Sequence, residues 1–169
     1  GLGDVYKRQL MYSGRDRRFY TAIVYDKCSW IGETVELNLG GNLSAGVRDK
    51  EDGGWYNTTT GYYWRKGNIE NPTPRAYHNC QVALHFNIVR LGEAYMNLAE
   101  AYLLKHDVPN AVKALNMTRT IHGGLSESTA ATEEEAWTDY IRERNCELTN
   151  EGGDIYYSYL RWGKYGGYA

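Results

Sequence analysis

The fold of this chain is decided by residues 86–104, FNIVRLGEAYMNLAEAYLL, together with residues 141–163, IRERNCELTNEGGDIYYSYLRWG. The first stretch predicts a long helix with an ordered polar stripe. The second predicts a charged helix that breaks at Gly152 and Gly153 and runs into an Arg-Trp-Gly. Neither has the sequence pattern of a catalytic nucleophile, a metal cluster or a phosphate-binding loop. We therefore interpret both as a frame around a recognition surface.

The first helix is predicted over about residues 86–105, with an apolar face made of Ile88, Leu91, Tyr95, Leu98 and Tyr102. A separate polar stripe, spaced three or four residues apart, consists of Arg90, Glu93, Asn97 and Glu100. This stripe fits either a solvated face with one ion pair or a partly buried seam against a neighbouring helix. We favour the seam, because the remaining faces are nearly all apolar or alanine. Its expected partners on the third helix are Arg144 and Glu147, and the pair of Glu93 with Arg144 is the first to test.

Two further helices follow from capping signals. Asp107 can cap a helix over about residues 109–121 that Gly123 and Gly124 end, with an inward side of Ala111, Val112, Ala114 and Leu115. The first two helices then form a hairpin that resembles a tetratricopeptide unit. Thr132 and Glu135 make a capping box for a third helix that ends near residue 150.

The rest of the chain is irregular. Residues 19–25 fit a short strand or a buried helical turn, and residues 31–85 contain most of the turn-forming residues, with short strands possible at 34–39 and 61–65. The predicted fold class is mainly α: a helical hairpin, a third helix, a long irregular loop region and a few short strands. Residues 1–9, GLGDVYKRQ, are interpreted as a non-native leader, and residues 10–169 as part of one domain.

Composition narrows the classes of function. The net charge of −2 gives no reason to expect a nucleic-acid partner. The spacing of cysteines and histidines predicts no metal site, and no cofactor motif is present. The chain has 16 Tyr and 5 Trp against 2 Phe, a balance that suits surfaces with one dry and one wet edge, although a core of hydrogen-bonded tyrosines would also explain it.

Five segments resemble the SusD/RagB family, in the order in which that family has them. They are residues 14–20, GRDRRFY; 60–66, TGYYWRK; 90–101, RLGEAYMNLAEA; 114–119, ALNMTR; and 141–148, IRERNCEL, leading to 160–163, LRWG. The resemblance implies a SusD-like fold, of which this chain would be the C-terminal part, truncated at both ends.

The resemblance also implies a function. Members are outer-membrane lipoproteins of Bacteroidetes that capture nutrients beside a TonB-dependent transporter. We therefore expect non-catalytic binding of an oligosaccharide or polysaccharide, a SusC-like transporter as partner, and exposure at the cell surface through an N-terminal lipid anchor absent from this fragment. The alternatives are a helical-repeat module that binds proteins and, more distantly, a glycoside hydrolase fragment.

Candidate ligand contacts are aromatic side chains with polar neighbours, because the C–H face of a sugar ring is apolar and its hydroxyls are not. The first candidate, after Gly53 and Gly54, is Trp55, Tyr56 and Asn57. The second is Tyr62, Tyr63 and Trp64, for which packing is the competing explanation.

Two sets of residues are assigned to the scaffold. Trp162 is expected in the core and Arg161 paired with a carboxylate. Glu143, Glu147 and Glu151 recur on one helix face near Arg142 and Arg144, which favours ion pairs over the opposed carboxylates of a glycosidase. The predicted structural polar network contains Arg90, Glu93, Asn97, Glu100, Arg144, Glu147 and Arg161.

Overall fold

The computed structural model of the chain describes residues 10–37, 41, 58, 60–68 and 87–163. The chain divides into two compact units, one of Gly1–Tyr20 with Asn87–Ala169 and the other of Thr21–Phe86. The first unit is helical. The second contains short strands in its described part, and the boundary between the two falls within helix α1, Arg17–Ala22.

The helical unit is built from α2, Leu91–Leu104; α3, Val108–Ile121; α4, Glu133–Glu147; and α5, Asp154–Arg161. Helix α2 packs on α3 and α4, and α3 packs on α4. The shared core consists of Met96, Ala99, Leu103, Ala111, Ala114, Leu115, Ala136, Tyr140 and Leu148. Its alanines let the helices of the hairpin approach closely, and the predicted inward side of α3, Ala111, Val112, Ala114 and Leu115, is confirmed.

The caps follow the predicted chemistry. Asp107 accepts a hydrogen bond from the backbone N–H of Asn110, and α3 begins one residue earlier than expected. Thr132 Oγ1 accepts from the Glu135 N–H at 3.3 Å, while the Glu135 carboxylate accepts from the Thr132 N–H at 3.1 Å. This is the reciprocal capping box that the sequence predicts. Helix α4 ends at Glu147, three residues before the predicted end.

The predicted start and apolar face of the first helix are wrong. Residues 87–90 are not helical, and Arg90 is extended, with φ −127° and ψ 162°. Ile88 is 94% exposed and Leu91 70% exposed, while Leu98 is also exposed. Tyr95 is half-buried and Tyr102 packs on the edge of the core.

The buried face lies one residue further along the helix, at Met96, Ala99 and Leu103. The physical reason is that Glu100 is itself buried and accepts hydrogen bonds from α4 and α5, so one member of the polar stripe belongs to the inner face. Periodicity that counts only apolar residues misses this, because Glu100 contributes to the inner face.

The second unit has two short antiparallel pairings in its described part. Strand β1, Ile23–Val24, pairs with β4, Tyr63–Trp64, in the register Ile23 to Trp64. Strand β2, Ser29–Trp30, pairs with β3, Glu33–Thr34. Positive φ at Ile31 and Gly32 gives the tight turn between β2 and β3 the twist that such a hairpin needs. Val24, Cys28 and Val35 form the small core.

These strands resolve the two interpretations of residues 19–25, and they are shorter than the strands predicted at 34–39 and 61–65. Residues 19–25 form the end of a helix followed by a strand, so both alternatives are realised in succession. The strand expected at 34–39 is limited to Glu33–Thr34 in the described residues, and the one at 61–65 to Tyr63–Trp64.

Candidate ligand-binding site

Two exposed aromatic side chains lie in and directly before strand β4. Tyr62 is 37% and Trp64 45% exposed, whereas Tyr63 between them packs on the core of Val24, Cys28 and Val35. Tyr62 comes directly before the strand, and the side chains of the two strand residues, Tyr63 and Trp64, point to opposite faces. We call Tyr62 and Trp64 the β4 aromatic pair.

The backbone around this pair is fixed. The N–H groups of Arg65 and Lys66 both donate to the Ala22 carbonyl, at 2.8 and 3.1 Å. The Asn68 side-chain amide donates to the Trp64 carbonyl at 2.5 Å. Tyr63 accepts a hydrogen bond from the Thr58 N–H at 3.4 Å, which leaves Tyr63 in a supporting role. The other predicted contacts, Trp55, Tyr56 and Asn57, lie outside the described residues.

Glu100 is the centre of one polar cluster in the helical unit. It accepts from the Tyr140 hydroxyl at 2.6 Å, from Arg161 Nη2 at 2.7 Å and from Trp162 Nε1 at 3.0 Å. Burial alone raises the pKa of Glu100, but the hydrogen bonds from Arg161, Tyr140 and Trp162 outweigh it and hold the pKa below its usual value. Glu100 is therefore a buried, ionised anchor between α2, α4 and the end of α5.

Arg144 is the cation of the same cluster and is 3% exposed. Its guanidinium donates to both carboxylate oxygens of Asp154, at 2.9 and 2.5 Å, and to the Ser158 hydroxyl at 3.1 Å. Nη1 donates to Asn97 Oδ1 and to the Tyr140 hydroxyl, each at 2.9 Å. One side chain thus joins α2, α4 and α5.

Glu147 is the centre of a second cluster and is 2% exposed. It accepts from Arg18 Nη1 at 2.9 Å, from Arg90 Nη1 and from His122 Nδ1 at 2.8 Å. Burial raises the pKa of Glu147, but the hydrogen bonds from Arg90, Arg18 and His122 have the larger effect. The pKa of Glu147 therefore lies below its usual value. Glu147 therefore stays ionised in the folded protein.

Sequence reasoning missed the residues that complete this second cluster. Arg18 donates to Glu143 at 2.5 and 3.1 Å and to Asp16, and Thr118 donates to Glu143 at 2.7 Å. Arg18 lies in the segment 14–20, which the resemblance singled out, but the resemblance gave Arg18 no role. A buried carboxylate four residues from another carboxylate needs a cation, and none on α4 itself reaches either one.

The structure also changes the expected pairings. The carboxylates of Glu143, Glu147 and Glu151 bind Arg18 and Arg90, whereas Arg142 contacts Asp139 and Arg144 contacts Asp154. Glu93, assigned to the network, forms no hydrogen bond or ion pair with any residue that the structure describes. The expected contact of Glu93 with Arg144 is therefore wrong.

Trp162 packs against the helical core, and Arg161 pairs with Glu100 as a carboxylate partner. Two further features concern the residues that the structure describes. No cluster of three or more His, Cys, Asp or Glu side chains there is arranged to hold a metal ion. No helix among them has the length and apolar character that crossing a bilayer requires.

These features define a class of protein. It has a mainly helical unit held together by buried ion pairs and, elsewhere in the sequence, a strand that carries aromatic side chains. The sequence model of the SusD family matches residues 3–168, and the chain belongs to that family. The SusD-like, mainly α fold expected from the sequence is thereby confirmed.

A solved structure supports the same assignment. The chain is similar to a SusD-like protein from Bacteroides fragilis NCTC 9343, with a TM-score of 0.73 and 28% sequence identity. The similarity covers 93% of this chain and 30% of that protein, so the chain spans less than a third of the length of that protein. No curated protein matches the chain.

Proposed function

We propose that this protein binds a glycan or another nutrient without transforming it, at the outer membrane, for uptake through a SusC-like TonB-dependent transporter. Membership of the SusD family supports this general role. The observation that carries the proposal is the β4 aromatic pair, because Trp64 in a paired strand and Tyr62 just before it are both exposed aromatic side chains.

The physical case for a sugar rests on complementary surfaces. One face of a pyranose ring consists of C–H groups, which gain from contact with an aromatic ring, while its hydroxyls stay hydrogen-bonded to water or to polar neighbours. Two rings on an already fixed backbone lose little conformational entropy when the ligand arrives. Trp55, Tyr56 and Asn57 remain part of the proposal as a second group of contacts.

The carboxylates of the helical unit support binding rather than hydrolysis. A glycosidase needs a general acid with a raised pKa and a second carboxylate facing it across the sugar. Glu143 and Glu147 lie on one helix, are almost fully buried and are held by arginines, and the pKa of Glu147 is lowered. These two groups are therefore suited to joining helices.

The test is affinity gel electrophoresis of the chain through gels that contain soluble polysaccharides such as starch, xylan, β-glucan and galactomannan. We expect at least one polysaccharide to retard the wild-type chain, and expect Trp64→Ala to move almost as fast as in a gel without ligand. Trp64→Phe, which keeps a ring, should stay retarded. Leu104→Ala, at an exposed site on α2, is the matched control and should bind like the wild type.

Two results would count against this site. If Trp64→Ala and Tyr62→Ala are retarded as strongly as the wild type, the β4 aromatic pair does not contact the ligand, and Trp55→Ala becomes the decisive variant. If no polysaccharide retards the wild type and hydrolysis products accumulate instead, the glycosidase alternative takes the place of the binding proposal.

Partner and location need the full-length protein in its native cell. We expect it to be lipidated, to be accessible to protease added outside intact cells, and to copurify with a TonB-dependent transporter after detergent extraction. A full-length protein that fractionates with the cytoplasm and copurifies with no transporter would contradict this part of the proposal.

The helical-repeat module remains a second candidate because of one observation. The α2–α3 hairpin exposes Leu91, Leu98, Leu104 and Ile121, between 44% and 70% of each residue. Surface leucines in a helical hairpin suit a protein partner. Retention of transporter binding after loss of glycan binding in Trp64→Ala would show that the two roles use different surfaces.

A further inference from the structure

A groove lies between the start of α2 and the turn that precedes α5. Its volume is about 260 Å³, and its lining includes Asn87, Glu93, Leu148, Glu151, Gly152 and Tyr157. All of these residues belong to the helical unit. We call this feature the α2–α5 groove, and it is distinct from the β4 aromatic pair, which lies in the other unit.

The groove has an exposed aromatic wall. The Tyr157 residue is 62% exposed, and its ring packs by one edge on Tyr156, with ring centroids 5.2 Å apart. Leu148 also lines the groove but is 1% exposed, so it offers a ligand almost no contact area. Gly152 has nothing within 4 Å of the position that a Cβ would occupy, so the chain there leaves open space. A flat apolar ligand face therefore has a surface to contact.

Polar groups at the rim are available for hydrogen bonding. The Glu93 carboxylate and the Tyr157 hydroxyl make no hydrogen bond with the residues in the described ranges. Glu151 and Asp154 are already held by Arg90 and Arg144. The Glu93 carboxylate is an acceptor, and it suits ligand hydroxyl groups, which donate.

The charge balance favours a neutral ligand. The arginine partners of Glu151 and Asp154 compensate most of the negative charge, so a cation would gain little beyond its interaction with Glu93. An anion would meet three carboxylates. The volume of the groove is slightly below that of typical small-molecule pockets, so the groove suits a ligand with one ring better than a chain of several rings.

We propose that the α2–α5 groove binds a single neutral sugar ring, stacked on Tyr157 with a hydroxyl donating to the Glu93 carboxylate. The ligand class rests on the proposed function, whereas the site itself rests on the groove. The β4 aromatic pair and the groove would then be separate contacts for sugar.

The test is a titration of the ¹⁵N-labelled chain with methyl glycosides of glucose, galactose, mannose and xylose, followed by amide NMR spectra. We expect at least one glycoside to shift the backbone signal of Gly152 and the side-chain signal of Asn87. Gly61 and Gly67, which flank the β4 aromatic pair in sequence, report on that other site. Tyr157→Ala should weaken the Gly152 response by about three- to tenfold, and Tyr157→Phe should retain it.

Each other outcome overturns the proposal. Shifts confined to Gly61 and Gly67 would leave the β4 aromatic pair as the sugar contact and discard the groove, with the proposed function intact. Shifts of Gly152 by n-butylammonium but by none of the glycosides would make the groove a cation site. If no glycoside shifts the Gly152 signal, the groove is likewise discarded as a sugar site. The proposed function is tested separately, by retardation in polysaccharide gels.

Discussion

Replacing Arg144 with alanine tests whether buried ion pairs hold the helical unit together. Arg144 is 3% exposed and makes five hydrogen bonds, to Asp154 twice and to Ser158, Asn97 and Tyr140 once each. Breaking a buried ion pair costs about 3–5 kcal/mol, since the carboxylate left behind is uncompensated. The Asp154 side chain is 19% exposed and can regain some water, so we expect the lower end, about 3 kcal/mol.

The measurement is urea unfolding at pH 7, followed by far-ultraviolet circular dichroism, with thermal unfolding as a second probe. A loss of about 3 kcal/mol corresponds to a fall in Tm of roughly 6–12 °C for a chain of this size. The matched control is Arg142→Ala, two residues away on the same helix, where the arginine side chain is 63% exposed and contacts Asp139 at 3.5 Å. That exposed contact contributes at most about 1 kcal/mol.

Arg144→Lys separates charge from geometry. Lysine keeps the positive charge but cannot donate to both Asp154 oxygens in the fork that arginine uses, so its stability should fall between those of the wild type and the alanine variant. Equal and small losses for Arg144→Ala and Arg142→Ala would refute the reasoning, because Arg144 would then not be the bond between α2, α4 and α5.

Three other predictions follow from the same helices. Gly92→Ala should lower the free energy of unfolding by about 1–3 kcal/mol, because its Cβ would overlap the fixed Glu147 carboxylate, and urea unfolding measures this. The pKa values of Glu100 and Glu147 are lowered in the folded state, so their stabilisation is complete above the unfolded pKa of about 4.3 and is lost as pH falls through the folded values. Thermal unfolding between pH 7 and pH 3 should show that loss, and Glu100→Gln should reduce its size. Thr132→Ala should cost about 1 kcal/mol by removing the cap of α4, and an unchanged urea midpoint would contradict the capping role.

Local signals were enough to predict the helices of the hairpin and the capped start of α4. Asp107 and the pair of Thr132 and Glu135 act within three residues of sequence, so the chemistry of each cap is visible without the fold. The same holds for the alanine-rich inner side of α3. Helix α5 was not predicted, because it has only eight residues, five of them aromatic or apolar, and follows a glycine pair that indicates a break.

The polar interior could be predicted only in part. Arg90, Glu100 and Glu147 were recognised as a seam, but the partners of Glu147 include Arg18, 129 residues away in the chain. Such a pairing has no period and no local signature. Glu93 and Glu100 lie about two turns apart on nearly the same side of α2. Only their positions along the helix decide that Glu100 meets partners on α4 and α5 and is buried, while Glu93 lines a groove.

Helix α4 shows why polar residues in this unit do not by themselves indicate a binding or catalytic site. It buries Glu143, Arg144 and Glu147, side chains that would usually be assigned to a surface. Their hydrogen-bonding capacity is used within the unit, whereas Tyr62, Trp64 and the groove residue Tyr157 leave aromatic surface exposed.

This difference separates two classes of variant. Removing a buried ion-pair partner should lower Tm and alter binding only through loss of folded protein. Removing an exposed ring should weaken binding with Tm unchanged, because such a ring contributes little to the core. If Trp64→Ala or Tyr157→Ala lowered Tm as much as Arg144→Ala, the exposed rings would be packing residues. The assignment of frame and recognition surface would then be reversed.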